Sequence, residues 1–382
     1  MNMQLYNKTL SVSPSMPQPG QHPSKFQATV NRMMAEVDGY IVRGQRFVQE
    51  FIARAGKPVD TLFKVAQQRI DQGEYEDAAS RLRMVIKFQP AHPQAWYLLG
   101  VCCLELEDGQ EEAVQAFKKA LALNPSNEEA RFLLCVTDPH ALPPEKQPKF
   151  APLSLATMHF DDMAYDYDSF QLDDMRYRGH EELARSVRKF LNPNYKKFQI
   201  LDLGCGTGLL GRQFTDIAGR IEGVDISRAM GEQAESLRDF NERAIYEKVS
   251  YADLRHFLLE YPESSVELVL AANVFPFLGC LTPVFDGAAR VLKPGGLFGF
   301  SFLPITDQEF GLIPGEGQFG HSRDYIEQQA QRVGLEIADM HAFEIYPEAE
   351  AVLGVLRKPA PAQTQTPQTP PPNPAVPPSP QL

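Results

Sequence analysis

The sequence predicts an α/β fold in its carboxyl-terminal half, an open and mostly parallel sheet with helices on both faces, preceded by an all-α region of helical repeats. Three observations carry this expectation. Short apolar runs ending in acidic or polar residues recur between residues 198 and 302, separated by stretches long enough for a helix. The first of these runs turns through glycine at every second position, Gly204, Gly206 and Gly208. Upstream, residues 61–136 echo themselves at a fixed helical spacing.

The elements follow in order. Residues 1–26 are polar and carry Pro14, Pro17, Pro19 and Pro23, which predicts disorder. From Gln27 to Ala55, apolar positions including Met33, Val37, Ile41, Phe47 and Phe51 keep a helical period that Gly39 and Gly44 weaken. Trp96, Leu99, Gly100, Ala113, Phe117, Ala120 and Pro125 fit the tetratricopeptide pattern, and Gly73, Tyr75, Ala78, Leu82, Val85 and Pro90 repeat it one unit earlier. Small alanines let paired helices approach, while Pro90 and Pro125 stop each second helix. Glu128 to Val136 supplies the first helix of a third unit, and residues 27–56 cap the stack, giving a helical domain over 27–138. The prolines after Asp138 mark a linker, 139–158, and residues 359–382 form a proline-rich tail that is extended at most.

Between them, residues 159–358 hold the chemistry. Phe198 to Leu203 is a strand that reaches Asp202 and then the glycine loop, where a backbone without Cβ atoms can approach a nucleotide. Gly206, Gly208 and Gly211 also satisfy the dinucleotide pattern, so an NAD fold competes. A carboxylate at Asp202 would repel a pyrophosphate and attract the ammonium and sulfonium of S-adenosylmethionine, which favours the latter. Asp225 ends a second strand, where it can accept both ribose hydroxyls. Asp253, after Val249 to Ala252, can accept from the adenine amine. Val266 to Asn273 is a fourth strand ending in a polar side chain, and Lys293-Pro294-Gly295-Gly296 turns into a buried fifth.

The order Leu201-Asp202-Leu203-Gly204-Cys205-Gly206-Thr207-Gly208, Gly223-Val224-Asp225-Ile226-Ser227, Ala252-Asp253 and Leu292-Lys293-Pro294-Gly295-Gly296 resembles the class I S-adenosylmethionine-dependent methyltransferases. Phe160 to Asp168, Asn273 to Gly279 and His321 to Tyr325 are similar to the predicted group of these that carries amino-terminal tetratricopeptide repeats. The resemblance implies a Rossmann-like sheet of seven strands with one antiparallel strand near the edge, the last two strands coming from Glu336 to Tyr346 and Ala349 to Arg357. It implies that Gly204, Gly206 and Gly208 line the methionine portion of the cofactor, Asp225 the ribose, Ile226 an adenine face and Asp253 its amine. Asp202, Cys205, Ala252 and Asn273 complete the cofactor-binding candidates, with Cys205 a small packing residue and not a nucleophile. Members of the group often carry aspartate where this chain has Asn273 and tyrosine where it has Met163, which leaves the chemistry at those positions open.

On the acceptor side the candidates are Tyr165, Tyr167, Asn273 and His321. Asn273 sits at the carboxyl edge of the sheet, where open α/β folds place ligands. Tyr165 and Tyr167 either cover the methionine end or dock on the core. By resemblance His321 is the histidine placed for proton abstraction, against its use as a helix cap. Methyl transfer from a sulfonium needs alignment and dehydration more than a base, so the lack of a triad or metal cluster does not argue against it.

Composition bounds the partners. A net charge of −12 disfavours nucleic acid or an anionic membrane, and no run approaches the roughly 18 apolar residues of a membrane span. Five cysteines without metal-site or framework spacing suit a cytoplasmic protein. The repeats imply a protein or peptide partner, and the methyl acceptor is a small molecule or a protein. A second reading makes the chain a repeat scaffold whose cofactor-binding domain is not catalytic. A third, an NAD-dependent oxidoreductase, fits Asp202 and the Pro-Gly-Gly turn least.

Overall fold

The computed structural model describes residues 58–195 and 197–360. The expectations of disorder over 1–26, of a cap over 27–56 and of an extended tail beyond residue 360 lie outside the described residues.

Five helices open the described chain: α1 (Pro58–Asp71), α2 (Tyr75–Phe88), α3 (Pro93–Leu104), α4 (Gln110–Leu123) and α5 (Glu128–Thr137). Their start signals are readable. Asn127 caps α5 by accepting from the amide of Ala130 at 2.8 Å, and Pro93 stands in the first turn of α3, where its missing N–H costs nothing. The apolar faces of α2 and α4 are largely alanine: Ala78, Ala79, Ala113, Ala116 and Ala120 are wholly buried, so adjacent helices pack closely around Leu82 and Phe117. Trp96 lies half-buried against this core and donates its indole N–H to the carbonyl of Pro90 at 2.8 Å.

A short helical turn at Pro144–Lys146 leads to α6 (Leu153–Met163), a turn at Tyr167–Ser169 that runs into a π-helical stretch (Phe170–Asp174), and α7 (Gly179–Arg188). The sheet then alternates with helices: β1 (Phe198–Leu203), α8 (Leu209–Arg212), β2 (Ala218–Asp225), α9 (Arg228–Ser236), β3 (Lys248–Tyr251), α10 (Leu254–Glu260), β4 (Val266–Ala271), α11 (Thr282–Val291) and β5 (Leu292–Pro304). A hairpin of β6 (Phe310–Leu312) and β7 (Phe319–His321), helix α12 (Arg323–Arg332), β8 (Glu336–Tyr346) and β9 (Ala349–Arg357) close the fold.

The strands β3-β2-β1-β4-β5 are parallel neighbours, β9 pairs antiparallel with β5 from Leu297 to Phe302, and β8 pairs with β9. The expected seven strands are all present, but the sheet holds nine among the described residues. The additional two arise because β5 runs on beyond Phe302, and Leu303 and Pro304 offer a parallel edge to Gly320 and His321. Each added strand is three residues long with a central glycine, too short for an alternating pattern to announce it. Two apolar cores sandwich the sheet, one around Phe275, Phe285, Phe298 and Phe300, the other around Leu183, Phe214, Leu268 and Tyr246.

The linker reading needs correction. The carbonyl of Lys149 accepts from the amides of Gly279 (2.9 Å) and Cys280 (3.0 Å), and Ala151 donates to the carbonyl of Phe277 (3.0 Å), so residues 149–151 are pinned to the loop after β4. The prolines signalled a break in helix, not a loose connection. The repeat core also continues into the α/β half, where Phe132 of α5 meets Phe319 of β7 with ring centres 6.3 Å apart, both rings buried. No helix among the described residues is long and apolar enough to cross a membrane.

Phe132→Ala should therefore destabilise the whole chain by about 3–5 kcal/mol, the cost of an emptied aromatic site in a core. A chain beginning at residue 150 should unfold at lower urea concentration than the full chain because Phe319 and Phe277 lose their cover. Equal midpoints for truncated and full chains would show that the shared core adds nothing.

Candidate cofactor-binding site

Because β1, β2 and β4 run parallel, their carboxyl ends meet at one edge of the sheet, where crossover loops leave a crevice. From the sheet side this cavity is lined by Gly204, Gly206, Asp225, Ile226, Ala252, Asp253 and Asn273. Phe160 of α6, Tyr167 of the following turn and Phe277 of the β4–α11 loop close it from above. Phe160 packs edge-on to Phe277 with ring centres 5.0 Å apart. The free volume is about 110 Å³, below the roughly 300–1,000 Å³ of ligand pockets, so a nucleoside-sized ligand requires this aromatic cover to move.

Asp225 is the centre of the site. Its carboxylate is held by two backbone donors, Gly206 N–H and Ser227 N–H, each at 2.8 Å. Burial pushes its pKa up to about 6, with the hydrogen bonds from Ser227 and Gly206 resisting the rise. Each oxygen keeps an acceptor direction beyond its backbone donor, which is what a pair of vicinal hydroxyls requires. Gly206 has φ of 53°, and a Cβ built on it meets no protein atom within 4 Å. A side chain there would project into the cavity, so the loop leaves room for a ligand at that point. These residues fit a nucleoside cofactor.

The other residues singled out from the sequence divide clearly. Ile226 and Ala252 line the cavity. Asp253 lines it too, but its carboxylate caps α10 through the amide of Arg255 and is gripped by the Arg255 guanidinium at 2.6 to 3.0 Å. Burial would raise its pKa, yet the Arg255 hydrogen bonds and charge outweigh burial and hold it below the usual range. Asn273 lines the cavity in a left-handed conformation, φ 57°, with its amide donating to Ser301 Oγ at 2.9 Å. Its side chain bonds the hydroxyl of Tyr346, which in turn donates to Gln171 at 3.2 Å.

Asp202 does not line the cavity. It is buried and accepts from the Tyr246 hydroxyl at 2.6 Å, and burial pushes it up to about 7. Any influence it has on the choice between cofactors is therefore exerted without contact with the ligand, through the field it shares with Asp225. Cys205 and Gly208 are structural as well. The Cys205 sulfur packs on Gly223, burial raising its pKa, and a Cβ on Gly208 would meet Leu237 and Tyr246.

Of the tyrosine pair, Tyr167 lines the cavity and Tyr165 is 92% exposed. His321 is also displaced from its expected role. It is completely buried, its Nε2–H donates to the carbonyls of Leu278 (2.7 Å) and Gly279 (3.0 Å), and burial pushes its pKa down to about 4. It is a neutral structural donor and not a base at the cavity. The site residues that sequence reasoning passed over are Phe160, Phe277, Arg255 and Tyr346. Arg255 lies two positions after Asp253 and was within reach of a salt-bridge reading. Tyr346 arrives from the far end of β8 with no local signal.

Residues 200–296 match the family model described as a methyltransferase domain, and residues 65–128 match a tetratricopeptide repeat model. The chain carries a methyltransferase domain behind tetratricopeptide repeats. Among relatives, a malonyl-[acyl-carrier protein] O-methyltransferase of Brevibacillus brevis is 28% identical over 180 residues, covering 46% of this chain and 61% of that one. A sterol 24-C-methyltransferase of Candida albicans is 30% identical over 162 residues, covering 38% and 41%. The methyltransferase domain is thus shared with proteins of which the match spans about three fifths or less. The solved magnesium protoporphyrin IX methyltransferase of Synechocystis with bound S-adenosylmethionine aligns with a TM-score of 0.43 at 16% identity, over 54% of this chain and 96% of that one.

Replacing His321 by Leu should cost about 1–3 kcal/mol, since it strips the N–H from two buried carbonyls. The folded pKa lies below the unfolded value, so wild-type stability from this group is present above about 6.5 and is lost as pH falls toward 4. Urea melts of His321→Leu should show a smaller loss of stability across that window than wild type. A variant as stable as wild type but devoid of activity would return His321 to the role of base.

Proposed function

We propose that this protein uses its methyltransferase domain to transfer a methyl group from S-adenosylmethionine to a small-molecule or protein acceptor, with the repeats engaging a partner. The observation that carries this reading is the cavity at the carboxyl edge of β1, β2 and β4, built around Asp225 and Gly206, inside a stretch that matches a methyltransferase domain. When bound, S-adenosylmethionine supplies a methyl group on a sulfonium that is already a good leaving group.

The residues have distinct tasks. Asp225 accepts the ribose hydroxyls, Ile226 and Ala252 border the base, and Gly206 admits the backbone close to the ligand. Phe160, Phe277 and Tyr167 exclude water, which strengthens electrostatics in the closed site. Asn273, braced by Tyr346, presents a polar side chain on the acceptor side. Among the described residues no histidine lines this cavity, burial raises the pKa of Tyr167, and Asp253 is committed to Arg255. The site therefore suits an acceptor that arrives with an available lone pair and needs no strong protein base.

Thermal shift should show binding of S-adenosylmethionine and S-adenosylhomocysteine but not NAD, with about 2.7 kcal/mol of stabilisation at a hundredfold excess over the dissociation constant. A response to NAD alone would sink the assignment. Asp225→Ala should weaken cofactor affinity by well over tenfold while remaining folded, because two charge-assisted hydrogen bonds of roughly 1.5–3 kcal/mol each are lost.

The same carboxylate sets a pH dependence. With a pKa of about 6 in the free protein, Asp225 must lose its proton before it accepts two hydroxyls, so affinity should rise from pH 5 and level off above 6. Calorimetry on wild type and Asp225→Asn checks this, and an equally steep profile in both proteins would assign the titration elsewhere.

A further inference from the structure

Beside the cofactor cavity lies a larger groove of about 960 Å³, formed by α4, α5 and the segment from Leu142 to Leu153. Ala151, Leu153 and Arg255 line both spaces, so the groove leads to the cavity. Its floor is apolar, with Leu121, Leu142 and Phe150, and its charge runs against that of the chain. In a protein of net charge −12, the groove is bordered by Lys118, Arg131, Lys146, Lys149 and Arg255. Glu128 and Glu145 are the acidic residues in its lining. Arg255 is paired with Asp253 and Lys118 with Asp138, whereas Lys146 and Lys149 are exposed and make no ion pair among the described residues.

Neither segment of this chain outside the described residues complements that surface. Residues 1–57 carry seven Lys and Arg against three Asp and Glu, and residues 361–382 carry no charged side chain. The charge of the lining calls for an acidic occupant, which neither of these segments supplies.

We propose that the groove docks an acidic, extended segment of a protein substrate, with apolar side chains on the floor and carboxylates against Lys146 and Lys149, and leads it past Leu153 to the cavity. This deepens the methyltransferase reading and rests on it for the reaction, though not for the docking. The shared boundary at Arg255 and Leu153 places the docked segment beside the aromatic cover of the cofactor.

Fluorescence anisotropy on the full chain tests this with a labelled alternating Glu-Leu peptide and its Gln-Leu counterpart, while calorimetry with S-adenosylhomocysteine runs in parallel. The Glu peptide should bind, weaken with added salt, and exceed the Gln peptide by at least about tenfold. The double reversal Lys146→Glu with Lys149→Glu should lower Glu-peptide affinity at least about tenfold and leave cofactor affinity unchanged. Lys146→Gln with Lys149→Gln should fall between, and Lys87→Glu, on the exposed surface of α2, should change nothing. Equal binding of the two peptides, indifference to the double reversal, or displacement by polyphosphate as readily as by the Glu peptide would overturn the proposal. So would a dimer in sedimentation that the double reversal dissolves, which would assign the groove to a second copy. Loss of cofactor binding with peptide binding retained would remove the reaction and leave the docking site.

Discussion

His321 gives one N–H to two consecutive carbonyls, those of Leu278 and Gly279, and much of the molecule is organised around the loop it holds. From the other side the carbonyl of Lys149 takes the amides of Gly279 and Cys280, and the Tyr325 hydroxyl accepts from Leu281 at 2.9 Å. Gly279 is what permits this. A Cβ there would stand 2.8 Å from the Lys149 carbonyl oxygen and 2.8 Å from the Phe319 ring. Any side chain would force apart the repeat-side segment, the loop and β7 at once. The neutral imidazole leaves Nδ1 buried without a partner, a cost the fold bears to keep a single donor on two acceptors.

From this loop the aromatic contacts spread into every layer. Phe277 reaches up to Phe160 of α6, Phe319 reaches across to Phe132 of the repeats, and Phe275 stacks on Phe300 in the core beneath the sheet, with ring centres 5.0 Å apart. The repeats are thereby fixed relative to the cofactor cavity. A groove between them has a defined shape only under that condition, which a free linker would not satisfy.

Legibility in the sequence followed the range of the interactions. Strand ends were readable because a continuous apolar run and a polar residue at its end are local, so Asp225, Ile226 and Asn273 came out at the cavity. Side-chain direction was harder. Asp202 sits beside the glycine loop in sequence, yet its carboxylate goes to Tyr246, 44 positions away, and no local pattern indicates that. Tyr165 lies in the turn that follows α6 and Tyr167 opens the next helical turn, so the two side chains part, one to solvent and one to the cavity. His321 precedes a helix as expected, but Ser322 is the cap, accepting from the Tyr325 amide, and the histidine faces inward as the last residue of β7. Tyr346 and the two short strands depend on chain segments meeting late, which local propensity does not encode.

The attachments of α6 indicate how cover and groove are coupled. Its carboxyl-terminal end is tied down: Asp161 accepts from Ser227 Oγ and from the amide of Ala229, and Gln233 donates to the carbonyl of Ala164. Ser227 and Ala229 stand at the start of α9, directly after Asp225, so displacing that end would disturb the loop that positions its carboxylate. The amino-terminal end is held as well, by the bond from Ala151 to the carbonyl of Phe277 and by the buried Leu155 and Ala156. Ser154 donates to Glu129 at 2.7 Å in an exposed setting, and Leu153 is 42% exposed. Phe160 stands beside the anchored Asp161, whereas Leu153, one of three residues shared by the cavity and the basic groove, is the exposed point of the helix. A ligand in the groove would therefore meet the cofactor cavity at Ala151, Leu153 and Arg255, the residues that line both, and not through a loose end of α6.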